Sequence, residues 1–271
     1  MGLVSFLRSL GRSVRLAGMF AVAGTELLVK RPQTREARAD WLHRFAGGAI
    51  RGLGIEIKVV GTFPEHGAVI SNHLGYLDIV VFAALHSCVF VSKAELQTVP
   101  VLGWMTTMAG TVYVARGHGG SAVKARSGMQ AAADAGLPVV FFPEGTTTNG
   151  SELLRFHSGL LAQAMESGMP ITAAHVRYTL AAANDATVAD DVCYWGDAKM
   201  LPHIFKLLGL RGLRAEVRFA EAPIRFSSDV MHRKLAAMEA QVAVAALRVQ
   251  AEGGEVGQEV GRGVAQGMHR F

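Results

Sequence analysis

The chain is poor in the residues that would tie it to several common classes. It has two cysteines in 271 residues, Cys88 and Cys193. They stand far apart and in no metal-ligand spacing, so a disulfide framework and a cysteine zinc site are both excluded. Cys88 lies in the apolar run Cys88-Val89-Phe90-Val91 and reads as a small buried hydrophobe. Aromatic residues make up 7%. They do not interleave with cations as on RNA-binding sheets, so the net charge of +5 does not indicate nucleic acid. No apolar run reaches the roughly 20 residues of a membrane span. Gly-x-Ser-x-Gly is absent, which argues against a serine-elbow hydrolase. There is no His-Glu-x-x-His pair for a zinc hydrolase.

What is present is grease: half the residues are hydrophobic. The longest apolar stretch, Leu16 to Val29, contains Glu26 and has cations on both sides. Arg8, Arg12 and Arg15 precede it; Lys30, Arg31, Arg35 and Arg38 follow. An apolar core with flanking cations fits a helix lying in a membrane interface, its cations near anionic headgroups. A secretory signal and an ordinary buried helix are the rival readings. Trp41, Leu42, Phe45, Ala49 and Leu53 then recur at helical spacing across 35–53.

After Gly54 the period changes. Ile55, Ile57 and Val59 alternate with polar neighbours as in a strand. Further short apolar runs read as strands at 68–71, 88–91, 111–115, 138–142, 170–176 and 215–219. Helices are predicted at 76–86, 122–135, 153–167, 198–208 and 228–250. Strands alternating with helices indicate an α/β fold: a mixed, largely parallel sheet flanked by helices, preceded by the N-terminal membrane-interface segment. The domain division is 1–53 for the N-terminal helices, 54–250 for the α/β domain, and 251–271 for a flexible, Gly-rich tail.

Ligands of such sheets bind beyond the carboxyl ends of the strands. Three polar clusters sit there. The first is Asn72-His73-Leu74-Gly75-Tyr76-Leu77-Asp78. On a regular helix His73 and Asp78 would be about 140° apart. They meet only if His73 lies in the turn and Asp78 in the first helical turn, where an acid suits the helix dipole. Asp78 could then hold one imidazole nitrogen and leave the other as a base. The plain alternative is a capped turn with an incidental histidine. The second cluster is Phe142-Pro143-Glu144-Gly145-Thr146, and the third brings Arg116 after the strand at Tyr113-Val114. A turn with a surface acid, and a solvated arginine, are the plain alternatives for these two.

Together and in this order, the clusters resemble the glycerolipid acyltransferase family typified by 1-acylglycerol-3-phosphate acyltransferase. The family's His-x4-Asp block matches His73 and Asp78. Its second block matches Tyr113, Val114 and Arg116, its third Phe142 to Thr146, and its fourth Met169-Pro170-Ile171. Ser92-Lys93-Ala94-Glu95-Leu96 and Phe156-His157-Ser158-Gly159 also fit. The likeness spans residues 65–180. It implies transfer of a fatty acyl group from a thioester, acyl-coenzyme A or acyl carrier protein, to the free hydroxyl of a lysolipid. His73 is the implied base and Asp78 its orienting partner, with no covalent acyl-enzyme. Lys93 and Arg116 are implied for the acceptor's phosphate, while Glu144, Gly145 and Thr146 shape its site. It implies no cofactor or metal, and membrane association at the cytoplasmic face of an inner membrane. The implied acceptor is 1-acylglycerol 3-phosphate, giving phosphatidic acid. One departure bears on it: Thr147-Thr148-Asn149-Gly150 stands where many lysophosphatidic acid enzymes carry a cation. Another lysophospholipid or a lyso-ornithine lipid is therefore the alternative acceptor.

Two further readings stay open from residues alone. Gly117-His118-Gly119-Gly120-Ser121-Ala122 fits Gly-x-Gly-x-x-Ala after a strand, as in a NAD-binding oxidoreductase. A metal hydrolase would use His73, Asp78, Glu144 and His157. The remaining histidines, His203 among them, read as structural or solvated; Val192 to Asp197 resembles the family's region after the fourth block, with packing or lining of the acyl tunnel as its role.

Overall fold

The computed structural model describes residues 2–99, 102–114, 119–227 and 232–267. Two helices come first, α1 Leu3–Lys30 and α2 Arg35–Leu53. The chain leaves α1 through Arg31 in a left-handed conformation, and Pro32 follows. Thr34 opens α2 by accepting the Ala37 N–H at 3.2 Å, and Gly54, at φ +66°, closes it. That is the capping chemistry helix ends require.

Seven strands follow: β1 Glu56–Val60, β2 Ala68–Ile70, β3 Val89–Lys93, β4 Val112–Val114, β5 Val139–Phe141, β6 Ile171–Thr179 and β7 Arg214–Phe219. Each falls where an apolar run predicted it. They form one sheet in the order β1-β7-β6-β2-β5-β3-β4, parallel throughout except between β6 and β7. The expected mixed, largely parallel α/β sheet is what the chain builds. Central strands are apolar on both faces because both faces are covered. Val69, Phe90 and Val140 pack with Leu77, Val81 and Phe82 of α3 (Tyr76–Leu85) and with Leu207 of a later helix. Ala68, Ile70, Val139 and Phe141 pack on the other face with Met129, Leu161 and Ala240. Those residues belong to α5 Gly119–Asp134, α6 Ser158–Glu166 and α9 Arg233–Gly267.

The remaining elements are a 3₁₀ turn at Ala94–Thr98, α4 Leu102–Met108, α7 Val188–Asp191 and α8 Met200–Leu208. The sequence predicted none of the first three. Two predicted elements also differ. Residues 153–157 are not helical. Glu144 takes the Leu154 N–H at 2.9 Å, and the Pro143 carbonyl takes that of His157 at 2.8 Å. These N–H groups are fixed before a helix can start. At the other end, α9 continues to Gly267, so residues 251–267 are helical where glycine content suggested an aperiodic tail.

The N-terminal cations also point elsewhere than expected. Arg8 donates to the Gly209 carbonyl at 2.6 Å, and Arg12 to those of Leu208 and Leu210 at 3.1 and 2.7 Å. They cap the C-terminus of α8, the negative end of its dipole. Lys30 and Arg44 both meet Glu26, at 2.9 and 3.0 Å, which ties α1 to α2. The apolar side of α1 is what faces outward: Leu3, Leu7, Leu10 and Val14, at helical spacing, are exposed, as are Val22, Leu28 and Val29. Among the described residues, no helix is long and apolar enough to cross a membrane.

Candidate active site

The parallel strands β2, β5, β3 and β4 all end on one edge of the sheet. His73 lies three residues beyond β2, Glu144 three beyond β5, and Lys93 ends β3. The sheet order therefore gathers segments that are up to 71 residues apart in sequence.

The turn after β2 is shaped by Asn72. Its side-chain amide donates to the Val176 carbonyl at 3.0 Å, and its oxygen accepts the Val176 N–H at 2.8 Å. The side chain thus continues the pairing with β6 while the main chain turns away. Gly75 then starts α3 in extended backbone; a Cβ there would meet Cβ and N of Tyr194 at 3.0 Å. Asp78 is the third helical residue, where a carboxylate can reach back to the free N–H groups of the helix start.

Asp78 is fully buried and accepts four hydrogen bonds, three on Oδ2 and one on Oδ1. Oδ2 accepts from Leu74 N at 2.6 Å, His73 Nδ1 at 2.8 Å and Gly75 N at 3.0 Å. Oδ1 accepts the Tyr178 hydroxyl at 2.7 Å. Because Oδ2 is an acceptor in all three bonds, the His73 proton sits on Nδ1 and the lone pair on Nε2. The imidazole lies flat on Phe142, centroids 4.0 Å apart and planes 8° apart. Its side chain is 16% exposed, enough for contact with a substrate.

Glu144 holds the same loop from the other side. It is 2% exposed, and its two oxygens accept the N–H groups of His73 at 2.8 Å and Leu154 at 2.9 Å. The Thr148 N–H donates to the His73 carbonyl at 2.9 Å. Burial raises the Glu144 pKa, opposed by these backbone N–H groups and by His73. Burial, then the negative charge of Asp78, pushes Cys193 up to about 12 and Tyr178 well above its usual value.

Of the predicted site residues, His73 and Asp78 are in direct contact and Glu144 braces them from the backbone. Lys93 is exposed at the end of β3, Gly145 is left-handed at φ +64°, and Thr146 is exposed on the same edge. Arg116 lies outside the described residues. So do Gly117 and His118 of the glycine run. The run follows β4, the edge strand of the sheet, whereas a dinucleotide fingerprint follows a strand at the central switch point. The carboxylates of Asp78 and Glu144, offered to a metal in one reading, are occupied by protein donors. Tyr178 went unnoticed in the sequence: a tyrosine in an apolar strand gives no sign of its partner 100 residues away. Asn72 stood in the motif without a role, which its pairing with β6 supplies.

Comparison with known proteins gives the same answer. The family model described as Acyltransferase matches residues 56–177. A protein of Pseudomonas aeruginosa named lyso-ornithine lipid O-acyltransferase is 34% identical over 224 residues, 78% of this chain and 82% of that one. The 1-acyl-sn-glycerol-3-phosphate acyltransferase of Neisseria meningitidis is 31% identical over 177 residues, 64% of this chain and 69% of that one. The crystal structure of the 1-acyl-sn-glycerophosphate acyltransferase PlsC from Thermotoga maritima shares the fold. Its TM-score is 0.57 at 19% identity, over 88% of this chain and 98% of that one. The matched segment contains the His73–Asp78 pair, the Glu144 brace and Asn72, and ends one residue before Tyr178; the chain belongs to the acyltransferase family, as an O-acyltransferase.

Proposed function

We propose that the protein moves a fatty acyl group from a thioester donor, acyl-coenzyme A or acyl carrier protein, to the hydroxyl of a lysolipid, with His73 as general base. The observation that carries this is the Asp78–His73 bond, which commits Nδ1 as donor and leaves Nε2 as acceptor. Nε2 takes the proton of the acceptor hydroxyl as its oxygen attacks the thioester carbon. The C–O bond forms, the C–S bond breaks, and the imidazolium returns its proton to the leaving thiolate. Buried Asp78 stabilises the imidazolium and fixes the ring. Lys93, Gly145 and Thr146, on the same sheet edge, and Arg116 in sequence, supply the acceptor side.

The acceptor is a lyso-ornithine lipid. The Thr147 to Gly150 run lacks a cation, and the Pseudomonas aeruginosa relative matches more of this chain than the Neisseria meningitidis one. A second reading, 1-acylglycerol 3-phosphate, is favoured by Lys93 and Arg116, whose charge suits a phosphomonoester. Both acceptors are bilayer lipids, and α1 provides the approach. Its outward stripe of Leu3, Leu7, Leu10 and Val14 lies in the membrane interface, with the rest of the protein on the cytoplasmic face.

The test is purified protein with a long-chain acyl-coenzyme A or acyl carrier protein and a panel of lysolipids, read as thiol release plus lipid product. His73→Ala runs in parallel. Product from one acceptor, lost in the variant, supports the reading and names the headgroup. No product with either donor, or full activity in the variant, refutes it. Deletion of residues 1–31 should weaken sedimentation with anionic vesicles; unchanged partitioning would refute the interfacial role of α1.

A further inference from the structure

The backbone groups of the His73 loop described so far are all held from within the matched segment 56–177, and one further bond comes from outside it. The Leu74 carbonyl accepts the N–H of Tyr194 at 2.7 Å. Tyr194 belongs to a strap, residues 192–195, that also touches the Glu144 side of the site, since Cys193 Sγ approaches the Asn149 carbonyl at 3.5 Å. The strap packs against Gly75 so closely that no Cβ fits there without displacement. The strap's own anchor is His203 on α8. His203 Nε2 lies 3.0 Å from the Cys193 carbonyl, and Nδ1 lies 2.8 Å from the Tyr76 hydroxyl. A carbonyl only accepts, so Nε2 carries the proton, Nδ1 is the acceptor and Tyr76 donates. Tyr76 is the first residue of α3, two before Asp78. His203 thereby links the helix that carries Asp78 to the strap that fixes Leu74. The rings of Tyr76, Tyr194 and His203 pack mutually with centroids 5.4 to 5.7 Å apart.

We propose that His203 is a positioning residue for the His73–Asp78 pair, acting through its hydrogen bond to Cys193 and the Tyr194–Leu74 bond behind it. The kinetic part of this rests on the acyl-transfer reading; the structural part does not. His203 is 6% exposed. Tyr76, Tyr194 and Cys193 face it, with Asp191 and Lys206 the nearby charges. Burial lowers its pKa, opposed by the Cys193 carbonyl and Asp191, which agrees with the neutral tautomer the geometry requires.

Three variants separate the roles. His203→Gln keeps an amide N–H at the Nε2 position, His203→Asn places its amide near Nδ1 only, and His203→Leu keeps neither. The first readout is the downfield proton resonance of His73 Nδ1–H, identified by its loss in His73→Ala. It should persist in His203→Gln and broaden or vanish in His203→Asn and His203→Leu, at temperatures where each variant is folded. The second is kinetics. His203→Asn and His203→Leu should lose about tenfold or more in kcat, with acceptor KM within about twofold, as a loosened base predicts. His203→Gln should recover most of it. If His203→Leu does not fold, His203→Asn against His203→Gln decides. A folded His203→Asn with the wild-type resonance and kcat overturns the proposal, whatever its melting temperature. If the wild type turns over no lysolipid, the resonance alone decides, so failure of the reaction reading and failure of this one remain distinct.

Discussion

Replacing Asp78 by Asn tests the mechanism most directly, because it removes a charge and almost no volume. The amide oxygen can keep the Oδ2 position, facing His73 Nδ1 and the N–H groups of Leu74 and Gly75. The amide nitrogen then faces Tyr178, whose hydroxyl can turn to accept. Ground-state geometry is therefore largely retained. What disappears is the attraction between a carboxylate and the imidazolium that forms as the hydroxyl proton moves. Two unit charges at about 4 Å and an effective dielectric of about 20 attract by about 4 kcal/mol. The partners are close, Asp78 is fully buried and His73 only 16% exposed, so solvent screens little of this. At about 1.4 kcal/mol per tenfold, kcat should fall about 10³-fold. Acceptor KM should hardly move, because Asp78 touches no solvent-facing surface. The assay is single-turnover acyl transfer, with circular dichroism and thermal melting to show that the variant is folded. A folded Asp78→Asn protein within tenfold of wild-type kcat would refute the charge argument and the assignment of His73 as base.

Tyr178→Phe deletes one buried hydrogen bond to Asp78 Oδ1 and should cost about 2 kcal/mol, or about 4–8 °C in melting temperature; an unchanged melting temperature would show that this hydroxyl is not needed to satisfy the carboxylate. Glu144→Gln leaves one of two backbone N–H groups facing an amide N–H, and should destabilise by about 1–3 kcal/mol and slow turnover. The raised Glu144 pKa adds a sign: this carboxyl's contribution to stability is full below its unfolded pKa and is lost as pH rises through the folded one. In urea unfolding the wild type should gain on Glu144→Gln as pH falls from 7 towards 4.5, and a gap that narrows instead would contradict it. Gly75→Ala puts a methyl 3.0 Å from Tyr194 Cβ and N; kcat should drop with little change in KM, and a fully active Gly75→Ala would show that the strap is free to yield.

Much of this molecule was legible because its information is local. Strands β2, β3 and β5 are buried on both faces, so each appears as a short apolar run between turns, and its end marks the ligand edge. The spacing of His73 and Asp78 allowed their pairing but left a capped turn with an incidental histidine open; the family resemblance is what pointed to the pair. Contacts across the fold were not legible. Helix α6 starts five residues later than its apolar pattern suggests, because Glu144 and Pro143 hold the N–H groups of Leu154 and His157 from another segment. Arg8 and Arg12 looked like membrane cations until α8 placed its carbonyls beside them. The sequence alone determined the alternating α/β plan and the ligand edge, and it pointed to His73 and Asp78 as a pair. Only the tertiary structure decided that Tyr178 completes the shell of Asp78, that Glu144 braces the backbone of His73, and that His203 stands behind the loop. Those partners lie 71 to 127 residues away. Hydrogen bonds over such separations leave no periodic trace, because chain spacing carries no record of which buried donor will face which acceptor.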